Sequence, residues 1–183
     1  MKKTNKGFSM VELIIVIAIM AILAGALAPA LIKYINKSRL STDIQTANTI
    51  GTAIQTALSN ETGYDSAVAS YNTQVKSLSY VYTQSDAFAT SIKDTVGGSK
   101  APTLKAKKCM NKTNPVDYGG EFYIFVDPGK NYVCVAAGKG TADPQVQYDA
   151  TKKAYEVKSG TGHQLYPTAN KCLSDDSAVN CTD

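Results

Sequence analysis

The sequence contains no Trp, a single His (His163) and only four Cys among its 183 residues. One His makes a two-His metal site impossible. None of Cys109, Cys134, Cys172 and Cys181 stands at C-x-x-C spacing from another, which argues against zinc. There is no G-x-S-x-G. Gly138-Lys139-Gly140-Thr141 has Val133 where a phosphate-binding loop needs its first Gly. His163 follows Gly160-Thr161-Gly162 and reads as a solvated loop residue rather than a general base. Asp175, Asp176 and Asp183 lack the spaced pattern of a calcium loop. These absences leave no catalytic constellation, and the expectation is a chain that is not an enzyme and holds no metal or cofactor.

Excess charge is also scarce. Lys and Arg total 19 against 15 Asp and Glu, a net charge of +4, and three of the cations (Lys2, Lys3, Lys6) stand in the first seven residues. Without them the balance is 16 against 15, so the remainder is close to neutral. Long apolar runs are absent too, with one exception. From Leu13 to Ile32 twenty consecutive residues carry no charge. As a helix this stretch is about 30 Å long, the thickness of a bilayer core.

A basic start before an apolar run also describes a removable secretory signal. Three features favour a retained anchor. The run exceeds a signal core in length, and the small-x-small candidate Ala26-Leu27-Ala28 meets Pro29 while the helical pattern continues past it. Most telling is Glu12, set between Met10-Val11 and Leu13-Ile14, because a carboxylate among lipid tails costs roughly 2.5–3.5 kcal/mol on insertion scales. Positive charges do not orient the span: Lys2, Lys3 and Lys6 precede it, and Lys33, Lys37 and Arg39 follow it.

The run Lys6-Gly7-Phe8-Ser9-Met10-Val11-Glu12-Leu13 resembles the processing site of type IV prepilins. The resemblance covers about residues 2 to 40. It implies cleavage between Gly7 and Phe8 by a prepilin peptidase that also N-methylates Phe8, on the cytoplasmic face. It makes Glu12 the family's assembly carboxylate and Pro29 its helix breaker within the anchor. It further implies a homo-oligomeric helical filament raised by an assembly platform and its ATPase. On this reading residues 1–7 are a leader, 8–33 a transmembrane and filament-core helix, and 34–183 an extracytoplasmic head. Physics supplies a reason for Glu12: the amine freed at Phe8 of one copy can neutralise the carboxylate of another. Opposite charges about 4 Å apart at an effective dielectric near 20 attract by about 4 kcal/mol before desolvation is deducted. A type II secretion pseudopilin is the alternative within the class. A single-pass binding protein that never polymerises is the alternative outside it, and such an anchor needs neither Glu12 nor the Gly7-Phe8 site.

Beyond the anchor, Leu40, Ile44, Ala47, Ile50, Ile54, Ala57 and Leu58 keep the spacing of one helical face, predicting a helix from about 9 to 61 that stops at Asn60-Glu61-Thr62-Gly63, with Gly63 in a left-handed C′ position. Pro29 and Gly25 weaken the anchor, and unwinding is expected over about 22–30 in a filament. Ser85 or Asp86 is placed to cap a helix carrying Phe88, Ile92 and Val96, ended by Gly97-Gly98. Residues 99–119 read as loop. Strands follow at 121–126 and 131–136 around Asp127-Pro128-Gly129-Lys130, with a second hairpin at 146–148 and 154–157. The expected fold class is α+β: a long N-terminal helix, half membrane-embedded and half amphipathic, packed on a small antiparallel sheet, as in pilins. Of three possible cysteine pairings the first choice is Cys109–Cys134 with Cys172–Cys181, adding about 3.5 and 2.5 kcal/mol by the loop-entropy model; free thiols are the alternative. The cluster Lys100, Lys105, Lys107, Lys108 and Lys112 offers weak nucleic-acid contacts, but a solvated loop is the better reading.

Overall fold

A computed structural model describes residues 9–106, 118–139, 143–158 and 161–169. In chain order the elements are α1 (Met10–Leu58), α2 (Glu61–Ser70), β1 (Val75–Ser77), α3 (Leu78–Thr83), α4 (Ala87–Val96), β2 (Tyr118–Asp127), β3 (Tyr132–Lys139), β4 (Val146–Asp149), β5 (Ala154–Val157) and β6 (Gly162–Tyr166), with a single 3₁₀ turn, Pro128–Lys130, between β2 and β3. The class is α+β. The chain divides into two units between Ser38 and Arg39.

The second unit is built around the amphipathic half of α1. Leu40, Ala47, Ile50, Ala53, Ile54 and Ala57 are all buried there, against the inner face of an antiparallel sheet of order β1-β2-β3-β6. Strand alternation explains which side chains reach it. Phe122, Ile124 and Val126 of β2, with Val133, Val135 and Ala137 of β3, join the helix core. Their alternates Phe125, Cys134 and Ala136 form a second cluster on the outer face, closed by Val157 of β5. Strands β4 and β5 pair only with each other, as a separate two-stranded sheet over that outer face.

Helix α1 ends earlier than the apolar spacing predicts. Asn60 adopts an extended conformation and accepts from the amide of Thr62 at 3.3 Å, starting α2. Gly63 is therefore not a left-handed C′ residue. It lies inside α2, where a Cβ would collide with the carbonyl oxygen of Ala57, so its bare backbone allows α2 to start close against the end of α1. Gly51 has a similar role on α1. A Cβ there would stand 2.6 Å from the ring of Tyr166, which lies directly on the helix backbone. Helix α4 follows expectation: Asp86 caps it, accepting from the amide of Ala89 at 2.9 Å, and Gly97 ends it at φ 81°. The same carboxylate accepts from the hydroxyl of buried Tyr71 at 2.9 Å.

One further placement overturns the sequence reading. His163 is not in a solvated loop; it is buried on β6, paired in register with Ala137. A Gly-rich approach looks like loop, but the free edge of β3 recruits the segment into the sheet. Asp43, in contrast, sits on the apolar stripe of α1 and is almost wholly buried. It accepts from the amide of Ala106 at 2.7 Å and from that of Lys105 at 2.9 and 3.1 Å, pinning residues 105–106 to the helix. Burial pushes its carboxyl above the ordinary aspartate value, and the two amides pull it part of the way back.

Two stability predictions follow from these contacts. Gly63→Ala has no room at a rigid carbonyl and should destabilise the domain by about 1–3 kcal/mol in chemical denaturation of the detergent-solubilised chain. For Asp43 the folded state keeps its proton to higher pH than the unfolded chain does. Its contribution is therefore complete at low pH and is lost as pH rises through the folded value. Asp43→Asn should abolish that slope and cost about 1–3 kcal/mol, because an amide nitrogen in place of Oδ1 then faces the Lys105 N–H donor. Denaturation at mildly acidic and at neutral pH measures both effects.

Candidate assembly and processing site

The first unit is a helix without a core. From Met10 to Ser38 every side chain is exposed, and large apolar residues between Met10 and Ile35 are 42–81% accessible. Burying a large aliphatic side chain gains about 1.5–3 kcal/mol, so leaving this stretch in water forfeits some tens of kcal/mol. Helix α1 includes a segment long and apolar enough to cross a membrane, with none of it buried within the chain. Lipid or other polypeptide must cover it.

The helix begins at Met10 for a local reason. The Ser9 hydroxyl accepts from the amide of Val11 at 3.3 Å, while the Glu12 carboxylate reaches back to accept from the amide of Ser9 at 2.9 Å. This is a reciprocal capping box, with the carboxylate at the positive end of the helix dipole. The Ser-x-x-Glu spacing is the signal for it, one that attention to the acid alone misses. One carboxylate oxygen, Oε2, is engaged by this cap. A carboxylate has roughly four acceptor positions, so capacity remains for a cation brought from outside. No other acid occurs between Glu12 and Asp43.

Pro29 lies inside α1, and the helix continues through it. Lacking an N–H, it leaves the carbonyl of Gly25 without its usual helical donor. Seventeen residues separate it from Glu12, about 25 Å along the axis, so the two do not form one site. Gly7 and Phe8 lie outside the described residues. So do Cys109, Cys172 and Cys181, along with Lys107, Lys108 and Lys112 of the lysine cluster. Cys134 is a free thiol under the β4–β5 hairpin, raised to about 12 by burial, and is therefore protonated and unreactive at neutral pH. Among the described residues no group of three His, Cys, Asp or Glu side chains is placed to hold a metal ion.

The arrangement can therefore do two things. It can present an apolar rod to a continuous partner surface, and it can offer one carboxylate near the start of that rod to a cation. Against known proteins, the model of the prokaryotic N-terminal methylation motif matches residues 2–28. No solved structure matches the chain.

Proposed function

We propose that this chain, which bears at its N-terminus the signal of type IV pilins and pseudopilins, is the structural subunit of a type IV pilus-like extracellular filament. That motif implies processing by a prepilin peptidase and assembly into a pilus-type fibre in general; the apolar helix agrees with a membrane-anchored precursor. In our reading residues 1–7 are removed between Gly7 and Phe8, and Phe8 is N-methylated. Residues 8–33 hold the precursor in the membrane and later form the filament core, and residues 34–183 are the head outside it. Cys134 is a free thiol, which sets aside the expected Cys109–Cys134 bridge; the bridge Cys172–Cys181 belongs to the same reading, as does local unwinding about Pro29 in the fibre.

The observation that carries the proposal is the pairing of an unburied apolar helix with a lone acid near its start. Among the described residues the Glu12 carboxylate accepts from the amide of Ser9. A neutral amide compensates a carboxylate less than an ammonium does. The methylated amine of Phe8 from a neighbouring copy is a cation of the required sign, and docking that copy covers the apolar helix at the same time. Recruitment is thus favoured by charge and by burial together. A pseudopilin would use the same two features, and the place where the fibre accumulates separates it from a surface pilus.

N-terminal mass spectrometry of cell-surface material should find methylated Phe8; a terminus near Ala30 would mean a plain signal peptide. Glu12→Val should be cleaved normally yet yield at least about tenfold fewer fibres by electron microscopy, since about 1.4 kcal/mol of lost pairing already gives that factor. Wild-type abundance of fibres from this variant would refute the recruitment step.

A further inference from the structure

The β4–β5 hairpin is attached to the rest of its unit in an unusual way. Among the described residues no backbone hydrogen bond joins β4 or β5 to the four-stranded sheet. Its fastening is made of side chains: at its base the backbone amide of Gln145 donates to the Thr161 hydroxyl at 3.0 Å, and the other contacts converge on Tyr155. The Tyr155 hydroxyl donates to Oδ2 of buried Asp127 at 2.6 Å and accepts from the Lys130 ammonium at 3.0 Å. Its backbone carbonyl accepts from the Tyr132 hydroxyl at 2.9 Å. Its ring packs 4.9 Å from that of Phe125 and 5.0 Å from that of Tyr132. The Lys130 ammonium also sits 4.0 Å above the ring of Tyr148, so a cation contributed by the β2–β3 turn touches both strands of the hairpin.

The remaining contact is a thin apolar layer. Val157 and the half-buried Val146 and Tyr155 lie over Phe125, Cys134 and Ala136. On the side facing β6 the fit is open: a cleft of about 470 Å³ is lined by Tyr132, Tyr155, Glu156, Val157, Gln164 and Pro167. The helix core on the opposite face of the sheet draws on none of these hairpin residues. Few buried apolar contacts and no shared ladder are the physical marks of a segment that opens below the global unfolding free energy.

We infer that the β4–β5 hairpin is a flap, which opens as a unit from the outer face of the sheet while the helix core stays folded, with Tyr155 as its fastening. Opening would bare Phe125, Ala136 and the otherwise inert Cys134, uncovering an apolar patch and a thiol together. The inference stands whether or not the chain polymerises.

Native-state amide exchange, read by mass spectrometry on the full detergent-solubilised chain at increasing denaturant, tests it. Peptides covering 146–157 should exchange at least about tenfold faster than those covering 132–137, with a weaker dependence on denaturant. Tyr155→Phe removes the hydroxyl from both of its partners and should speed hairpin exchange by about a further tenfold, leaving β2 and β3 unchanged. Lys130→Met, which keeps the aliphatic stem, should give a smaller change in the same direction. After reduction, alkylation of Cys134 should track hairpin opening in each variant. A common rate and denaturant dependence for hairpin and sheet would overturn the flap. So would a Tyr155→Phe effect that is equal in both, or Cys134 alkylation only upon global unfolding.

Discussion

An exposed apolar helix is the constraint on which everything else about this molecule depends. Among the described residues the large apolar side chains of α1 up to Ile35 stay exposed. For a chain that keeps this helix, exposure to water forfeits some tens of kcal/mol against a typical domain stability of 5–15. With the helix retained, lipid or other polypeptide has to cover it, which agrees with a membrane-anchored precursor. In the proposed reading Glu12 decides between these environments, because lipid penalises a carboxylate and a cationic neighbour welcomes it. Its capping bond to Ser9 moderates the penalty without neutralising the charge.

Within the second unit the helix serves a different purpose. The same α1 that is bare before residue 39 becomes the spine of a conventional two-layer α+β arrangement, helix on sheet. Two glycines allow the close approaches: Gly51 under the ring of Tyr166, and Gly63 at the carbonyl of Ala57. Asp43 adds a buried polar tie between α1 and residues 105–106. Its burial cost is tolerable because each of its oxygens meets an amide, the usual condition for a carboxylate inside a protein.

The outer face of the sheet is held by different means. The helix side is closed by continuous aliphatic packing, whereas the hairpin side depends on a cluster of tyrosines with one lysine and one aspartate. Aromatic rings with polar tips suit a boundary of this kind, burying ring area while keeping a hydroxyl bonded. The two faces are therefore unequal in how they resist opening.

Local chemistry alone determined much of this protein. The charge-free stretch from Leu13 to Ile32, the acid at Glu12, the cap at Asp86, and the Asp127-Pro128-Gly129-Lys130 turn between two β-rich segments are all legible one residue at a time, because each depends on near neighbours in the chain. Tertiary structure decided what depends on distant partners. Gly63 looks like a helix terminator until α2 folds back across Ala57, and His163 looks like loop until the edge of β3 pairs with it. Asp43 interrupts an apolar stripe for no visible reason until residues 105–106 arrive with two amides. Tyr155 is one of eleven tyrosines until Asp127 and Lys130 gather around its hydroxyl. Periodicity and capping act over a few residues, whereas burial and hydrogen-bond satisfaction are settled only when segments dozens of residues apart come into contact.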